Sequence, residues 1–380
     1  MKICIDAGIG LSSTEKGGIY YLLPELLDTL SSIDKENEYL IFGFFLKNYW
    51  KRIKNIQIPE SNNFSLKILP FPKKFIKIVE EKSKIPFIET LLKREKISIY
   101  HGISATYLPL FKKIKTIYTI YDLSFEIMPE VYKEKWYSEI KSSAIRSDII
   151  IVPSFSTKKD IMEIYKLPEE RIKVVYLGVN HKVFRPIEKK YAFEKLKKYF
   201  SYERYILTVA TSIKRKNIPF LFDIYKILKE KKIEEKLVII VGTNYLKKDI
   251  LKLAMEKNIS EHVYCFSEIP KEDMPYFYSG AEIFIFLSLY EGFGLPVVEA
   301  MSCGAPVIVS NISSLPEIVQ DAGIYVNPFE RDDAVDKIFN ILKNDNLKED
   351  LREKGVKRSK IFTWENCIRC ILNIYKEVLK

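Results

Sequence analysis

The sequence predicts an α/β protein with two doubly wound parallel sheets. The chain has 380 residues, whereas one domain usually has about 100 to 200. Short runs of β-branched and aromatic residues alternate with longer stretches of helical periodicity, which is the pattern of βαβ units around parallel sheets. This alternation occurs twice, with a break near residues 180–200. We therefore expect two Rossmann-like domains.

The first series predicts an N-terminal domain at residues 1–185. Apolar runs predict strands at residues 3–6, 40–44, 66–69, 97–100, 116–121, 149–152 and 174–177. Helical periodicity predicts helices at residues 19–30 and 134–147. A turn at Arg185 and Pro186 then marks the boundary between the domains.

The second series predicts a C-terminal domain at residues 186–362. The predicted strands are residues 205–210, 237–241, 263–266, 283–287, 307–310 and 324–326. The predicted helices are residues 219–230, 246–257, 275–280, 296–302 and 315–320. We expect the last helix, at 363–380, to pack back toward the first domain. Open α/β sheets bind ligands beyond the carboxyl ends of their strands, so we expect a cleft between the domains.

Composition restricts the class of protein. No apolar run approaches the roughly 18 residues that cross a bilayer, and Asp6 lies where a signal peptide would have its apolar segment, so we expect a cytoplasmic protein. The chain has five cysteines, an odd number, and they are scattered along the sequence, which indicates reduced thiols. Cys367 and Cys370 form a C-x-x-C without a second pair, which favours neighbours on one helix face over a zinc site.

The formal net charge of +11 favours phosphate-bearing partners. The basic residues are spread along the chain without a nucleic-acid-binding motif, so we expect no nucleic acid partner. Within residues 71–84, five lysines interleave with aromatic and aliphatic residues. This stretch fits either a peripheral contact with an anionic membrane or an ordinary exposed helix.

The segment at residues 287–304 contains the strongest chemical pattern in the chain. It runs from a strand through a loop with Gly292 and Gly294 into a helix that begins near Pro296. The start of such a helix offers amide donors and a positive dipole end, which suit a diphosphate. Glu299 lies just inside this helix, where its carboxylate can accept hydrogen bonds from sugar hydroxyls. A tight turn followed by an acid that favours the dipole is the structural alternative.

The spacing of Glu291 and Glu299 resembles the E-x7-E motif of retaining glycosyltransferase family 4. The resemblance covers most of the chain. Its other motifs are the loop with Gly8, Gly10, Gly17 and Gly18 and residues 176–180, 215–217, 314–317 and 362–364. It implies the GT-B fold, in which two Rossmann-like domains face each other across a cleft.

The resemblance also implies a role for each matching residue. Glu299 would bind the ribose of the nucleotide, and Glu291 would contact the donor sugar. The residues expected to bind the diphosphate and sugar of the donor are Gly292, Phe293, Gly294 and Leu295, together with Gly17 and Gly18. Arg215 and Lys216 follow the first strand of the second domain, so they are expected to neutralise the departing diphosphate. A basic pair on a solvated turn is the structural alternative.

Three residues of the first domain complete the predicted site. His101 ends a predicted strand, where it either positions an acceptor or has a purely structural role. Tyr121 stands where relatives commonly have a histidine near the reacting carbon, and Asp122 follows it. Because tyrosine is not a cation at neutral pH, this difference predicts reduced or altered activity.

The resemblance implies a retaining hexosyltransferase that uses a GDP-mannose or UDP-glucose type of donor. The acceptor would be a saccharide or a lipid-linked acceptor in cell-surface glycan synthesis. No cofactor is expected. The chain has no D-x-D triplet, so we also expect metal-independent activity. The alternatives are a catalytically impaired nucleotide-sugar-binding subunit and a GT-B phosphorylase or epimerase.

Overall fold

The computed structural model describes residues 1–8, 18–46, 56, 58–103, 107–131, 137–201, 204–211, 213–242 and 244–380. For residues 18–21, 73, 137, 138, 244 and 245 it describes the backbone alone. The chain divides into two compact units. Unit 1 comprises Met1–Gly178 and Trp364–Lys380, and unit 2 comprises Val179–Thr363.

Unit 1 contains a seven-stranded parallel sheet. Its strands are β1 (Lys2–Asp6), β2 (Glu38–Phe44), β3 (Phe64–Leu69), β4 (Ile99–Gly102), β5 (Lys115–Thr119), β6 (Ile149–Val152) and β7 (Ile172–Val174). Their order is β3-β2-β1-β4-β5-β6-β7, so the winding reverses between β1 and β4. Both neighbours of β1 run parallel to it, with Ile3 opposite Tyr39 on one side and Ile99 on the other.

Helices connect these strands. They are α1 (Gly18–Ile33), α2 (Lys73–Ser83), α3 (Phe87–Leu92), α4 (Ser124–Ile127), α5 (Tyr137–Arg146) and α6 (Phe155–Tyr165). The α6 helix begins after Ser154, whose hydroxyl accepts a hydrogen bond from the Thr157 amide. This is the usual N-cap arrangement, which satisfies a donor in the first turn.

Unit 2 contains a six-stranded parallel sheet. Its strands are β8 (Tyr205–Ala210), β9 (Lys236–Val241), β10 (Val263–Ser267), β11 (Ile283–Phe286), β12 (Val307–Ser310) and β13 (Gly323–Val326). Their order is β10-β9-β8-β11-β12-β13, so the winding reverses between β8 and β11. The central strands are apolar and buried, as expected for a parallel sheet that is covered on both faces.

The helices of unit 2 surround this sheet. They are α7 (Lys189–Leu196), α8 (Ile218–Glu230), α9 (Asn244–Glu256), α10 (Met274–Gly280), α11 (Leu295–Ser302), α12 (Leu315–Val319), α13 (Arg331–Lys343) and α14 (Asp345–Ser359). The chain then returns to unit 1 as α15 (Trp364–Val378). Within α15, Cys367 is buried and Cys370 is exposed, and both are free thiols.

The predicted α/β class and the doubly wound sheets are confirmed. Some strand ends differ from the prediction, because a strand ends at its last ladder pair. The strand predicted at 116–121 ends at Thr119, which lies opposite Ile151, and the strand predicted at 174–177 ends at Val174, opposite Val152. None of the helices in the described part of the chain combines the length and apolarity that a membrane span requires.

Candidate functional site

The candidate site lies where the strand order of unit 2 reverses. The strands β8 and β11 are neighbours, but β9 continues the sheet on one side and β12 on the other. Loops that diverge from such a pair of strands open the crevice in which α/β sheets bind ligands. The loop after β8 carries Arg215 and Lys216, and the loop after β11 carries Glu291. The topology therefore brings together side chains that are 75 residues apart in the chain.

Two buried charged side chains, Lys216 and Glu291, and the half-buried Arg215 form the centre of this site. The Lys216 ammonium donates a hydrogen bond of 2.6 Å to Oε1 of Glu291, and the Arg215 guanidinium lies 2.9 Å from the same oxygen. Burial raises the pKa of Glu291, but the charges of Arg215 and Lys216 outweigh it and hold that pKa below the ordinary value. Glu291 is therefore ionised at neutral pH. Two cations and one anion give this cluster an excess positive charge, which suits an anionic ligand.

Neighbouring groups fix the orientation of the two cations. The Lys216 ammonium lies 3.9 Å from the ring centroid of Phe286, the last residue of β11, in a cation–π contact. The Arg215 guanidinium donates to the Tyr290 carbonyl at 3.1 Å and to the Thr211 hydroxyl at 3.2 Å. Such contacts limit the rotamers of long side chains, so the charges are positioned before a ligand arrives.

The backbone of Glu291 is held by two serines that follow β12. The Glu291 amide donates to the Ser313 hydroxyl at 3.0 Å, and that hydroxyl donates to the Glu291 carbonyl at 2.6 Å. The Ser314 hydroxyl donates to the same carbonyl at 3.0 Å. Ser313 has a φ of 59°, which is unusual for a residue other than glycine. Sequence reasoning missed Ser313; its position after a strand next to β11 was the available signal.

The glycine loop leads into α11 with the geometry that the sequence suggested. Gly294 precedes the helix with a φ of 96°, and a Cβ there would lie 2.7 Å from Cδ2 of Leu315. Pro296 lies in the first turn. The first amides of a helix have no intrahelical acceptor, so this helix start can bind an anion. Phe293 is buried and packs edge-on against Phe362, with ring centroids 5.6 Å apart.

Glu299 lies on α11 one turn beyond Leu295. Its Oε2 accepts a hydrogen bond of 2.8 Å from the Tyr278 hydroxyl, which α10 contributes. Burial raises the pKa of Glu299 to about 7, although the Tyr278 hydrogen bond and the charge of Lys271 act to lower it. Near neutral pH this carboxyl therefore changes between a neutral donor and an anionic acceptor. No sequence motif indicated Tyr278, which lies 21 residues away in the chain.

The structure places His101 in the interior of unit 1. His101 is the third residue of the four in β4 and is fully buried. One ring nitrogen hydrogen-bonds the Tyr375 hydroxyl and the other the Thr119 hydroxyl, each at 2.8 Å. Burial lowers the pKa of His101 to about 3, so the ring is neutral. Both nitrogens are engaged and the histidine joins β4 to α15, which favours the structural alternative; a role in acceptor positioning stays a prediction.

Tyr121 and Asp122 lie in the loop after β5. Tyr121 is half-buried and lines a small apolar pocket of unit 1 whose wall includes Cys367 and Ile371. Burial, and then the neighbouring Cys367, raise the pKa of the tyrosine hydroxyl, so it stays protonated. The Asp122 carboxylate accepts hydrogen bonds from the amide and hydroxyl of Ser124, at 3.1 and 2.8 Å. These contacts give Asp122 a local role at the start of α4.

The N-terminal glycine loop is described only in part. Gly8 is described, and its amide donates to the Asp6 carboxylate at 2.9 Å. Gly18 is the first residue of α1. Gly10 and Gly17 lie outside the described residues, so their predicted role near the donor stays a prediction.

Solved structures share this architecture over the whole chain. Sucrose-phosphate synthase from Thermosynechococcus elongatus has a TM-score of 0.76 and 18% identity, covering 99% of this chain and 98% of that protein. Anabaena HepE, solved in complex with UDP and glucose, has a TM-score of 0.73 and 15% identity, covering 99% and 100%. At such identities the likeness shows the fold alone, and the fold is that of the GT-B glycosyltransferases.

Family profiles and curated relatives make the class specific. Residues 189–358 match glycosyl transferases group 1, and residues 57–183 match glycosyltransferase family 4. O-antigen chain mannosyltransferase B from Escherichia coli is 33% identical over 73% of this chain and 74% of its own length. O-antigen chain mannosyltransferase RfbU from Salmonella typhimurium is 29% identical over 59% and 60%. The chain therefore belongs to glycosyltransferase family 4.

Proposed function

We propose that this glycosyltransferase moves a mannosyl residue from GDP-mannose to a saccharide or lipid-linked acceptor, with retention of the anomeric configuration. The observation that carries this proposal is the buried cluster of Glu291, Lys216 and Arg215, next to the start of α11. The choice of mannose rests on the relatives, which are named mannosyltransferases. The UDP-glucose type of donor is the second candidate for the same site.

In the proposed reaction, charge develops on both sides of one breaking bond. The bond between the anomeric carbon and the phosphate oxygen breaks, and its electron pair stays on the phosphate oxygen. Lys216, Arg215 and the amides at the start of α11 stabilise the negative charge that forms there. The acceptor hydroxyl oxygen bonds to the anomeric carbon on the same face, and its proton passes to the leaving phosphate oxygen. The products are GDP and a mannoside.

In this proposal Glu291 does not act as a nucleophile. Its Oε1 already accepts from Lys216 and contacts Arg215, so the carboxylate holds both cations in place. We propose that Glu291 also orients the donor sugar. Glu299 accepts hydrogen bonds from the ribose hydroxyls in its ionised form, because a carboxylate offers acceptors only.

A catalytically impaired nucleotide-sugar-binding subunit is the second candidate function. The observation that favours it is Tyr121, which replaces the histidine expected from the family resemblance and remains neutral in its half-buried position. Such a subunit would bind the donor without releasing GDP. A phosphorylase would instead require inorganic phosphate as a substrate, and an epimerase would form no glycosylated acceptor.

Acceptor-dependent release of GDP distinguishes these functions and tests the need for metal. With GDP-mannose and a panel of saccharide and lipid-linked acceptors, we expect GDP release that depends on the acceptor and continues in EDTA. The reason is that the cations of Lys216 and Arg215 would neutralise the diphosphate in place of a metal ion. Full loss of activity in EDTA, restored by Mg²⁺ or Mn²⁺, would contradict metal independence. Donor binding without turnover on any acceptor would favour the impaired subunit.

A further inference from the structure

The helix α2 presents two faces of different chemistry. Its inner face is anchored by Ile76 and by the buried carboxylate of Glu80. One Glu80 oxygen accepts from the Ile88 amide at 3.2 Å, and the other accepts from the Leu110 amide at 2.9 Å and the Tyr107 hydroxyl at 2.8 Å. This network fixes the helix on unit 1. Its outer face is therefore presented in one orientation.

The outer face interleaves cationic and apolar side chains. Lys74, Phe75, Ile78 and Lys82 are all exposed. At 100° per residue these four positions lie within one arc of about 100° on the helix surface. Phe75 and Ile78 are 45% and 43% exposed on the same helix face, and adjoining exposed apolar side chains mark interaction surfaces. We call these four residues the α2 face.

A cluster of aromatic rings supports the α2 face. The rings of Phe71 and Phe75 stack with centroids 5.9 Å apart, and Phe87 packs edge-on against both at 5.7 and 6.2 Å. Ile85, in the turn after the helix, is 54% exposed. Among the described residues, four of the fourteen exposed large hydrophobic side chains fall within residues 75–91. The apolar surface is therefore concentrated here.

The exposed charge around the α2 face is predominantly positive. Over residues 74–96, all of which the structure describes, the exposed cations are Lys74, Lys82, Lys84, Lys93, Arg94 and Lys96. The one exposed acid in that range is Glu81. The other acids point to internal partners: Glu89 accepts from the amides of residues 112–114, and Glu95 pairs with Lys2 and Lys67.

We propose that the α2 face docks unit 1 on an anionic lipid bilayer. Phenylalanine and isoleucine side chains would enter the boundary between headgroups and acyl chains, while the lysine ammonium groups stay at the level of the lipid phosphates. A nucleic acid would use the cations and could stack a base on Phe75, but it would leave the exposed aliphatic Ile78 and Ile85 without an apolar environment. The inference goes beyond the proposed activity, because it concerns where the protein binds and not what it transfers.

Sedimentation with lipid vesicles tests this proposal without a donor or acceptor. We expect the wild-type chain to bind vesicles of phosphatidylcholine with phosphatidylglycerol, and to bind phosphatidylcholine alone far more weakly. The double variant Lys74→Glu/Lys82→Glu should lose at least about 30-fold in affinity, because two cations leave the surface. Phe75→Ser/Ile78→Ser should also lose affinity, and its remaining binding should be more sensitive to salt.

The matched control is Lys248→Glu/Lys252→Glu on α9, which changes the net charge equally at two exposed lysines of unit 2. This control should bind vesicles within about threefold of the wild type, since short-range contacts decide the affinity. Equal losses in the two double reversals would overturn the proposal, as would wild-type binding of the α2 variants. Binding to RNA that the α2 face variants lose, together with no binding to anionic vesicles, would also overturn it in favour of nucleic acid. Circular dichroism of each variant confirms that it is folded.

Discussion

Lys216→Met should lower kcat by about 100- to 1000-fold, the usual cost of removing one group that stabilises charge in a transition state. Methionine retains much of the length of the lysine side chain but cannot neutralise the phosphate oxygen. The substitution also leaves Arg215 as the remaining cation beside the Glu291 carboxylate, so the pKa of Glu291 should rise. The measurement is the rate of GDP release at saturating donor and acceptor.

Lys214→Met provides the matched control for this prediction. Lys214 lies in the same loop and is exposed, whereas Lys216 is buried. We expect its kcat to stay within about twofold of the wild type, as is usual for a surface substitution. If Lys216→Met retained more than a fifth of wild-type turnover, Lys216 would have no direct part in the reaction.

The second prediction is that Glu299→Gln makes the protein more stable in alkaline solution and less able to bind its donor. The folded state raises the pKa of Glu299 to about 7 from its ordinary value of 4.5. The protonated form is therefore favoured by folding, and this stabilisation is complete below pH 4.5 and lost as the pH rises through 7. Glutamine keeps a neutral side chain that can accept the Tyr278 hydrogen bond.

Urea unfolding at pH 8.5 and pH 5 measures this effect. At pH 8.5 we expect Glu299→Gln to raise the free energy of unfolding by about 3 kcal/mol, since each pKa unit corresponds to about 1.4 kcal/mol. At pH 5 the difference between the variant and the wild type should be much smaller. The control, Glu272→Gln, removes an equal charge from an exposed residue and should change stability by less than about 0.5 kcal/mol. A variant that is less stable than the wild type at pH 8.5 would contradict the account.

The same ionisation should appear in donor binding. If the ribose hydroxyls donate to the carboxylate, the wild-type affinity for the donor should fall by about tenfold between pH 8 and pH 6. Glu299→Gln should bind weakly at both values. The gain in stability at the expense of binding is the usual sign of a strained functional group.

Local sequence patterns were sufficient to predict most of the fold. Alternating apolar runs and helical periodicity predicted the central strands, because these are buried on both faces and rich in β-branched residues. The helices that were not predicted are α3, α4, α6, α7, α13 and α14. In α7 only Ala192 and Leu196 of the eight residues are buried, so its apolar pattern is weak. Strand ends were less well predicted, because they depend on the length of a distant partner strand.

The candidate site was predictable where its residues follow strands. Arg215 and Lys216 follow β8, and Glu291 follows β11, so the topology of a doubly wound sheet predicts their proximity. The contacts that hold these groups come from elsewhere in the chain. Phe286 beneath Lys216 and the Ser313 hydroxyl on the Glu291 backbone have no local signature.

His101 shows that a local sequence pattern alone does not determine the role of a residue. Its place near the end of a predicted strand suggested a site residue, but Tyr375, which is 274 residues away in the chain, occupies one ring nitrogen. The return of α15 to unit 1 decides this contact. A histidine at a strand end therefore needs the tertiary structure before a role can be assigned.

The central claim is that unit 2 binds a nucleotide sugar through Glu299 and the cluster around Glu291. Calorimetric titration with GDP-mannose, UDP-glucose and ADP-glucose, in EDTA at pH 8, tests it with the wild type and with Glu299→Ala. The account predicts that the wild type binds GDP-mannose most tightly and that Glu299→Ala weakens this binding by at least about 100-fold, the value of two lost hydrogen bonds to a charged group. Equal affinity of the two proteins for GDP-mannose, or no binding of any nucleotide sugar to the wild type, would contradict it.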